Sequence, residues 1–245
     1  MLNRIVIVGA SSGIGAALAL EMARPGRSIA LVARRAAELE RVAEQVRARG
    51  ATALVEPCDA KDTAAVEASW QRLSGAMGGV DALIYASGVM PEVGIDEFNT
   101  EKDREMIEVN VVGAMAWLNC GARDFARRGS GTLCGIGSVA GDRGRRPHPA
   151  YGASKAALHH YLEALRNRLS LKGIHVVTIK PGPVQTPMIE GRGKMPMTIS
   201  AEKAAARIAK AVERGENTVY VPGQWWLIMH ILQHMPSFIF KRLSI

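Results

Sequence analysis

The sequence predicts an α/β fold: a single doubly wound domain with a seven-stranded, mostly parallel sheet and helices on both faces. Three observations lead there. Short apolar runs alternate with amphipathic helical patterns from the first residues to about 220, the runs are continuously apolar rather than alternating, and no linker rich in Pro, Gly or Ser divides the chain. Continuous apolar strands are those buried on both faces, and crossover helices return the chain to the same end of the sheet.

The elements follow in order. Residues 5–8 form the first strand and run into a glycine turn, Gly9-Ala10-Ser11-Ser12-Gly13-Ile14-Gly15, after which Leu18, Leu20 and Met22 begin a helix. The second strand, 29–32, ends at Arg34 and Arg35; Leu39, Val42, Ala43 and Val46 then give one apolar face, with Arg and Glu opposite. Strand 53–56 leads to Asp59, and strand 82–85 to Ala86-Ser87-Gly88. After strand 132–136 comes Ser138, then a long helix with Tyr151, Lys155, Leu158, Leu162, Leu165 and Leu169 on one face. Strand 176–179 passes through Pro181, Gly182, Val184 and Thr186 into an irregular excursion over 187–200, and 218–221 is the seventh strand. Residues 1–222 make up the domain; 223–245 differ in composition.

At 245 residues and 48% hydrophobic, the chain is long enough to bury a large core. Gly at 25, Pro at 11 and the lack of a fixed period exclude collagen, solenoid and coiled-coil architectures. Cys58, Cys120 and Cys134 are odd in number and form no CxxC pair, which argues against a disulfide framework or a zinc site. His148, His159 and His160 have no carboxylate at ligand spacing, so no metal is expected. A reducing, cytoplasmic setting is expected, since the N-terminal apolar run is too short for a signal peptide. The net charge of +8 asks for an anionic partner. No basic helix with interleaved aromatics appears, so nucleic acid ranks last.

Glycines between a strand and a helix permit a tight turn and close backbone approach, and the first helical amides can receive a pyrophosphate. The unit therefore reads as a Rossmann dinucleotide turn. Its spacing is GxxxGxG, which, opening a chain of this length, resembles the short-chain dehydrogenase/reductase family. Further motifs keep that family's order from residue 5 to about 188: Asp59, Asn110 in Asn110-Val111-Val112-Gly113, Ser138, Tyr151 with Lys155, and Pro181-Gly182 with Thr186. One departure is visible, Ala86-Ser87-Gly88 where the family usually has Asn-Ala-Gly.

An acidic residue at the end of the second strand would suit the ribose hydroxyls of NAD, and none is present. Arg34 and Arg35 offer guanidinium forks to a 2′-phosphate instead, which favours NADP(H); the alternative is that they are solvated residues starting the next helix, Arg35 above all. The resemblance adds Gly9, Ser11, Ser12, Gly13, Ile14, Gly15, Asp59, Ala86, Ser87, Gly88, Pro181, Gly182, Val184 and Thr186, with Tyr151 and Lys155, to the cofactor site. A phenol with pKa near 10 is a weak acid at neutral pH, and an ammonium one helical turn away lowers that value. That suits general acid catalysis of carbonyl reduction. The resemblance implies Tyr151 as proton donor, Lys155 as its tuning group, Ser138 as the residue orienting the substrate, and Asn110 as the holder of a water in a proton relay.

Arg143, Arg145 and Arg146 lie between Ser138 and Tyr151 and are candidates for an anionic substrate group; a solvated loop is the alternative. The final segment, with Trp225, Trp226, Phe238 and a terminal Lys241-Arg242, is too short and too interrupted to span a bilayer. It suits a peripheral contact with an anionic membrane, a lid over a lipid substrate, or an intersubunit surface in a homodimer or homotetramer. Loop and tail together resemble one branch of the family, the reductases of polyprenyl-phosphate-linked 2-keto-pentoses. A 3-oxoacyl-thioester reductase is the alternative enzyme, and a non-catalytic NADP-binding sensor the alternative of another class.

Overall fold

The computed structural model describes residues 2–191, 193 and 195–243. Its strands are β1 (Arg4–Val8), β2 (Ser28–Ala33), β3 (Thr52–Pro57), β4 (Ala82–Tyr85), β5 (Gly131–Ile136), β6 (Ile174–Pro181), β7 (Val184–Gln185), β8 (Ile199–Ser200) and β9 (Thr218–Val221). Seven of them form one sheet in the order β3-β2-β1-β4-β5-β6-β9, every neighbouring pair parallel. The apolar runs read from the sequence coincide with these strands. The excursion after β6 contains a small parallel pair, β7 with β8.

Side chains alternate across the sheet with the two-residue period of a strand. Ile5, Ile7, Ile29 and Leu31 point to one face, packing with Leu18 of α1 (Gly13–Met22), Leu39 of α2 (Ala36–Ala48) and Ile208 of α7 (Ala201–Arg214). Val6, Val8, Ala30 and Val32 point to the other, against Trp70 of α3 (Thr63–Met77), Trp117 of α5 (Ala114–Arg128) and Leu158 of α6 (Pro149–Leu169). Residues 5–8 of β1 and 29–32 of β2 are buried on both faces and leave no room for polar side chains, which is why they read as unbroken apolar runs.

Strand order reverses between β1 and β4, and a crevice opens there at the carboxyl ends of the strands. The glycine turn leaves β1 at this point and Ala86-Ser87-Gly88 leaves β4. A Cβ on Gly9, whose φ is +88°, would lie 2.5 Å from the Ser87 nitrogen, and one on Gly15 would lie 2.2 Å from the Gly9 carbonyl oxygen. Only glycine lets these segments meet. The chain ends in α8 (Trp225–His234) and α9 (Ser237–Phe240), with Trp225 and Met229 buried against Val139.

Candidate active site

A cleft of about 1500 Å³ runs from the glycine turn to α8. Its lining includes Gly9, Ser11, Ser12, Gly13, Ile14, Arg34, Arg35, Asp59, Ala86, Ser87, Gly88, Ser138, Arg145, Tyr151, Lys155, Pro181, Gly182, Val184 and Thr186. Of the residues expected there from the sequence, Gly15, Asn110, Arg143 and Arg146 do not line it. Gly15 acts from beneath, as the close packing on Gly9 shows.

At one end, the start of α1 has neither a side-chain cap on Ser12 nor an acidic residue in its first turn. By contrast α3 and α7 are capped by Asp62 and Ser200. An uncapped helix start with glycine-framed backbone is the arrangement that receives a phosphate. Arg35, exposed at the start of α2, donates to the Ser11 and Ser12 hydroxyls at 3.0 and 3.1 Å and so reaches over the turn. Arg34 lies 3.9 Å from Asp59, with both side chains well exposed. Thr186 closes the turn from the opposite side, its methyl group against Gly13.

In the middle of the cleft, α6 carries Tyr151 and Lys155 one turn apart. Lys155 is buried and donates to the Ile136 carbonyl at 3.0 Å, and its Nζ stands 5.7 Å from the centre of the Tyr151 ring. Burial lowers its pKa to about 8. Asn110 lies in a π-helical turn, Glu108–Gly113, that widens the backbone between α4 (Thr100–Ile107) and α5. Its side chain accepts from the Val89 amide at 2.8 Å and donates to the Val89 carbonyl and the Ser154 hydroxyl. Ser154 in turn donates to the Tyr151 carbonyl. The Asn110 side chain thus braces the wall that carries Tyr151. Gly88 fits between, where a Cβ would come within 3.3 Å of the Lys155 Nζ.

Behind Ser138 is a cluster that sequence reasoning missed. His159 Nε2 accepts from the Ser138 backbone amide at 3.3 Å, while its Nδ1 faces Asp142 at 3.5 Å. This pattern suits a neutral imidazole protonated at Nδ1, and burial, only partly offset by Asp142, lowers the histidine pKa. The Asp142 carboxylate, 1% exposed, also accepts from Lys180 Nζ at 2.6 Å and from the Tyr220 hydroxyl at 2.7 Å. Burial opposes its charge, and these hydrogen bonds outweigh burial and hold its pKa below the usual value. A sequence signal existed in Gly137 and Gly141, which flank Ser138: a Cβ on either would strike the His159 ring, at 2.2 and 2.8 Å.

The three loop arginines separate. Arg143 donates to the Leu232, Gln233 and Met235 carbonyls at the end of α8 and lies over the Phe240 ring, and Arg146 donates to the Lys241 carbonyl. The expectation that these two face a substrate anion is thereby corrected: they hold the tail. Only Arg145 lines the cleft, with no carboxylate within ion-pair distance among the described residues. Trp225, Ile228 and Leu232 of α8 form the far wall. Trp225 packs so close to Gly182 that no larger residue fits there, and its indole N–H has no acceptor among the described residues.

The short chain dehydrogenase family profile matches residues 3–196. The chain is 34% identical over 243 residues, 98% of this chain and 96% of the relative, to an uncharacterized oxidoreductase in the mprA 5′ region of Streptomyces coelicolor. It is 30% identical to an uncharacterized oxidoreductase of Mycobacterium tuberculosis, covering 98% of this chain and 96% of that one. Among solved structures, a short-chain dehydrogenase from Sphingobium yanoikuyae in complex with NADPH superposes with a TM-score of 0.82 at 25% identity, covering 96% and 97% of the two chains. NAD+-bound xylitol dehydrogenase shares the fold, with a TM-score of 0.80 at 22% identity over 89% and 97%. The chain belongs to the short-chain dehydrogenase/reductase family of oxidoreductases, whose members bind a nicotinamide cofactor.

Proposed function

We propose that the protein is an NADP(H)-dependent reductase that converts a ketone to a secondary alcohol, or runs the reverse oxidation. The carrying observation is that Tyr151, Lys155 and Ser138 line the same cleft as an uncapped, glycine-framed helix start. Arg35, lying over that start, supports selection of a 2′-phosphate, together with the absence of an acid at the end of β2. The bound cofactor supplies or takes up the hydride. Tyr151 gives its phenolic proton to the carbonyl oxygen; the Lys155 ammonium stabilises the phenolate that remains, and Ser138 orients the carbonyl. Asn110 and Ser154 position Tyr151, and His159 positions Ser138.

For substrate, Arg145 supports a molecule with an anionic group, and Trp225, Ile228 and Leu232 support one with an apolar chain. A ketone on a lipid-linked, phosphate-bearing sugar has both, and is the substrate class we favour. Three buried free thiols accord with a reducing, cytoplasmic setting. The test is Tyr151→Phe: turnover is expected to fall at least about 100-fold while NADPH affinity stays within about twofold. Retained turnover would overturn the reading. NADPH oxidation screened over lipid-linked keto-sugars, 3-oxoacyl thioesters and ketosteroids identifies the substrate class, and preference for thioesters would make the protein a 3-oxoacyl-thioester reductase instead.

A further inference from the structure

Helix α8 exposes large apolar side chains on the side turned away from the protein, beside the exposed His230, Gln233 and His234. With about 3.6 residues per turn, Trp225, Ile228, Met229 and Leu232 fall on one side, where they pack on Val139 or line the cleft. Trp226, Leu227 and Ile231 fall on the opposite side and are 57%, 56% and 56% exposed. Phe238 and Ile239 of α9 extend the same end of the molecule, also exposed. Five large exposed apolar side chains on two successive helices exceed ordinary surface scatter and point to an interaction surface.

Charge selects the partner. No acidic residue occurs after Glu216, whereas Lys241 and Arg242 follow the patch directly and stand exposed. The helix does not cross a membrane: no helix among the described residues is long and apolar enough. Tryptophan and branched apolar residues beside a basic pair, on a helix lying along the surface, match the interface of a negatively charged bilayer.

We propose that α8 and α9 seat this protein on an anionic phospholipid bilayer, with Trp226, Leu227, Ile231, Phe238 and Ile239 entering the interface and Lys241 and Arg242 meeting lipid phosphates. This surface is independent of the reductase reading, because none of these seven residues lines the cleft. Its position adds something to that reading, since the opposite side of α8 is a cleft wall.

The test is flotation of the full chain with vesicles of phosphatidylcholine alone and of phosphatidylcholine mixed with phosphatidylglycerol. The chain is expected to float with the mixed vesicles and to partition at least about tenfold less onto the neutral ones. Lys241→Gln with Arg242→Gln should remove most of that difference. A Trp226→Ser, Ile231→Ser, Phe238→Ser variant should remain in the soluble fraction with both vesicle types while its circular dichroism and NADPH binding match the wild type. Two results would overturn the proposal: a wild type that stays soluble with both vesicles, or light scattering that shows the serine variant turning a dimer into a monomer, which would make the patch a contact between copies.

Discussion

Asp142→Asn tests whether the cluster behind Ser138 holds the active-site loop. The wild-type carboxylate is almost wholly shielded from water and takes hydrogen bonds from Lys180 and Tyr220, while the Lys180 side chain is itself only 15% exposed. The amide retains the shape but loses the charge, so the Lys180 ammonium is left buried without a counter-charge. Removing one partner of a buried pair costs about 3–5 kcal/mol, and the remaining water access of Lys180 argues for the lower end, about 3 kcal/mol. In a chain of this size that lowers Tm by roughly 6–12 °C. Adding Lys180→Met removes the orphaned charge, so the double variant should recover to within about 1 kcal/mol of the wild type. The pH dependence has a definite sign. The Asp142 pKa is depressed in the folded protein, so its contribution is present above the unfolded value near 4 and fades as pH falls through the folded one. The asparagine variant should lack that acid-side loss. Thermal melts and urea titrations followed by circular dichroism measure all three proteins. The reasoning fails if Asp142→Asn melts within about 2 °C of the wild type, or if the double variant is no more stable than the single one.

Two further outcomes concern the cleft. Arg35→Ser should weaken NADPH by roughly 10- to 100-fold and leave NADH within about twofold, because a charge-assisted hydrogen bond to a phosphate contributes about 1.5–3 kcal/mol; equal losses for both cofactors, measured by fluorescence titration, would count against a phosphate-binding Arg35. Lys155 titrates near 8 when folded against an ordinary 10.5, so between those values the unfolded chain holds a proton the folded one has released, and this group makes stability rise with pH. Lys155→Met should lose that increment in urea midpoints measured between pH 8 and 10, and an unchanged slope would show that the ammonium is not desolvated.

The sheet was legible because its signal is local. A strand buried on both faces needs an unbroken apolar run, and a dinucleotide turn needs glycine where backbones touch, so residues 5–15 announce themselves. Tyr151 and Lys155 were legible because one helical turn fixes their relation. The roles of Asn110, Asp142 and His159 were not, since each depends on a contact made across the fold: Asn110 with Val89 and Ser154, Asp142 with Lys180 and Tyr220, His159 with the Ser138 amide. The loop arginines misled for the same reason. Three like residues within four positions look alike in sequence, and only the placement of the tail gives two of them carbonyl partners.

That division of labour has a mechanical consequence. The last carbonyls of a helix lack partners within it and carry its negative end, so a guanidinium there satisfies them and complements the dipole. Arg143 does this for α8 from a loop whose ends are Ser138 and Tyr151, and the next residue inward, Asp142, ties the same loop to β6, β9 and α6. The Gln233 side chain closes the ring by donating to the Asp142 carbonyl. The wall of the cleft formed by α8 and the loop that begins at Ser138 are therefore parts of one hydrogen-bonded unit. Helix α8 thus meets the Ser138 loop in two ways: by packing, Trp225 and Met229 on Val139, and by hydrogen bonds through Arg143 and Gln233.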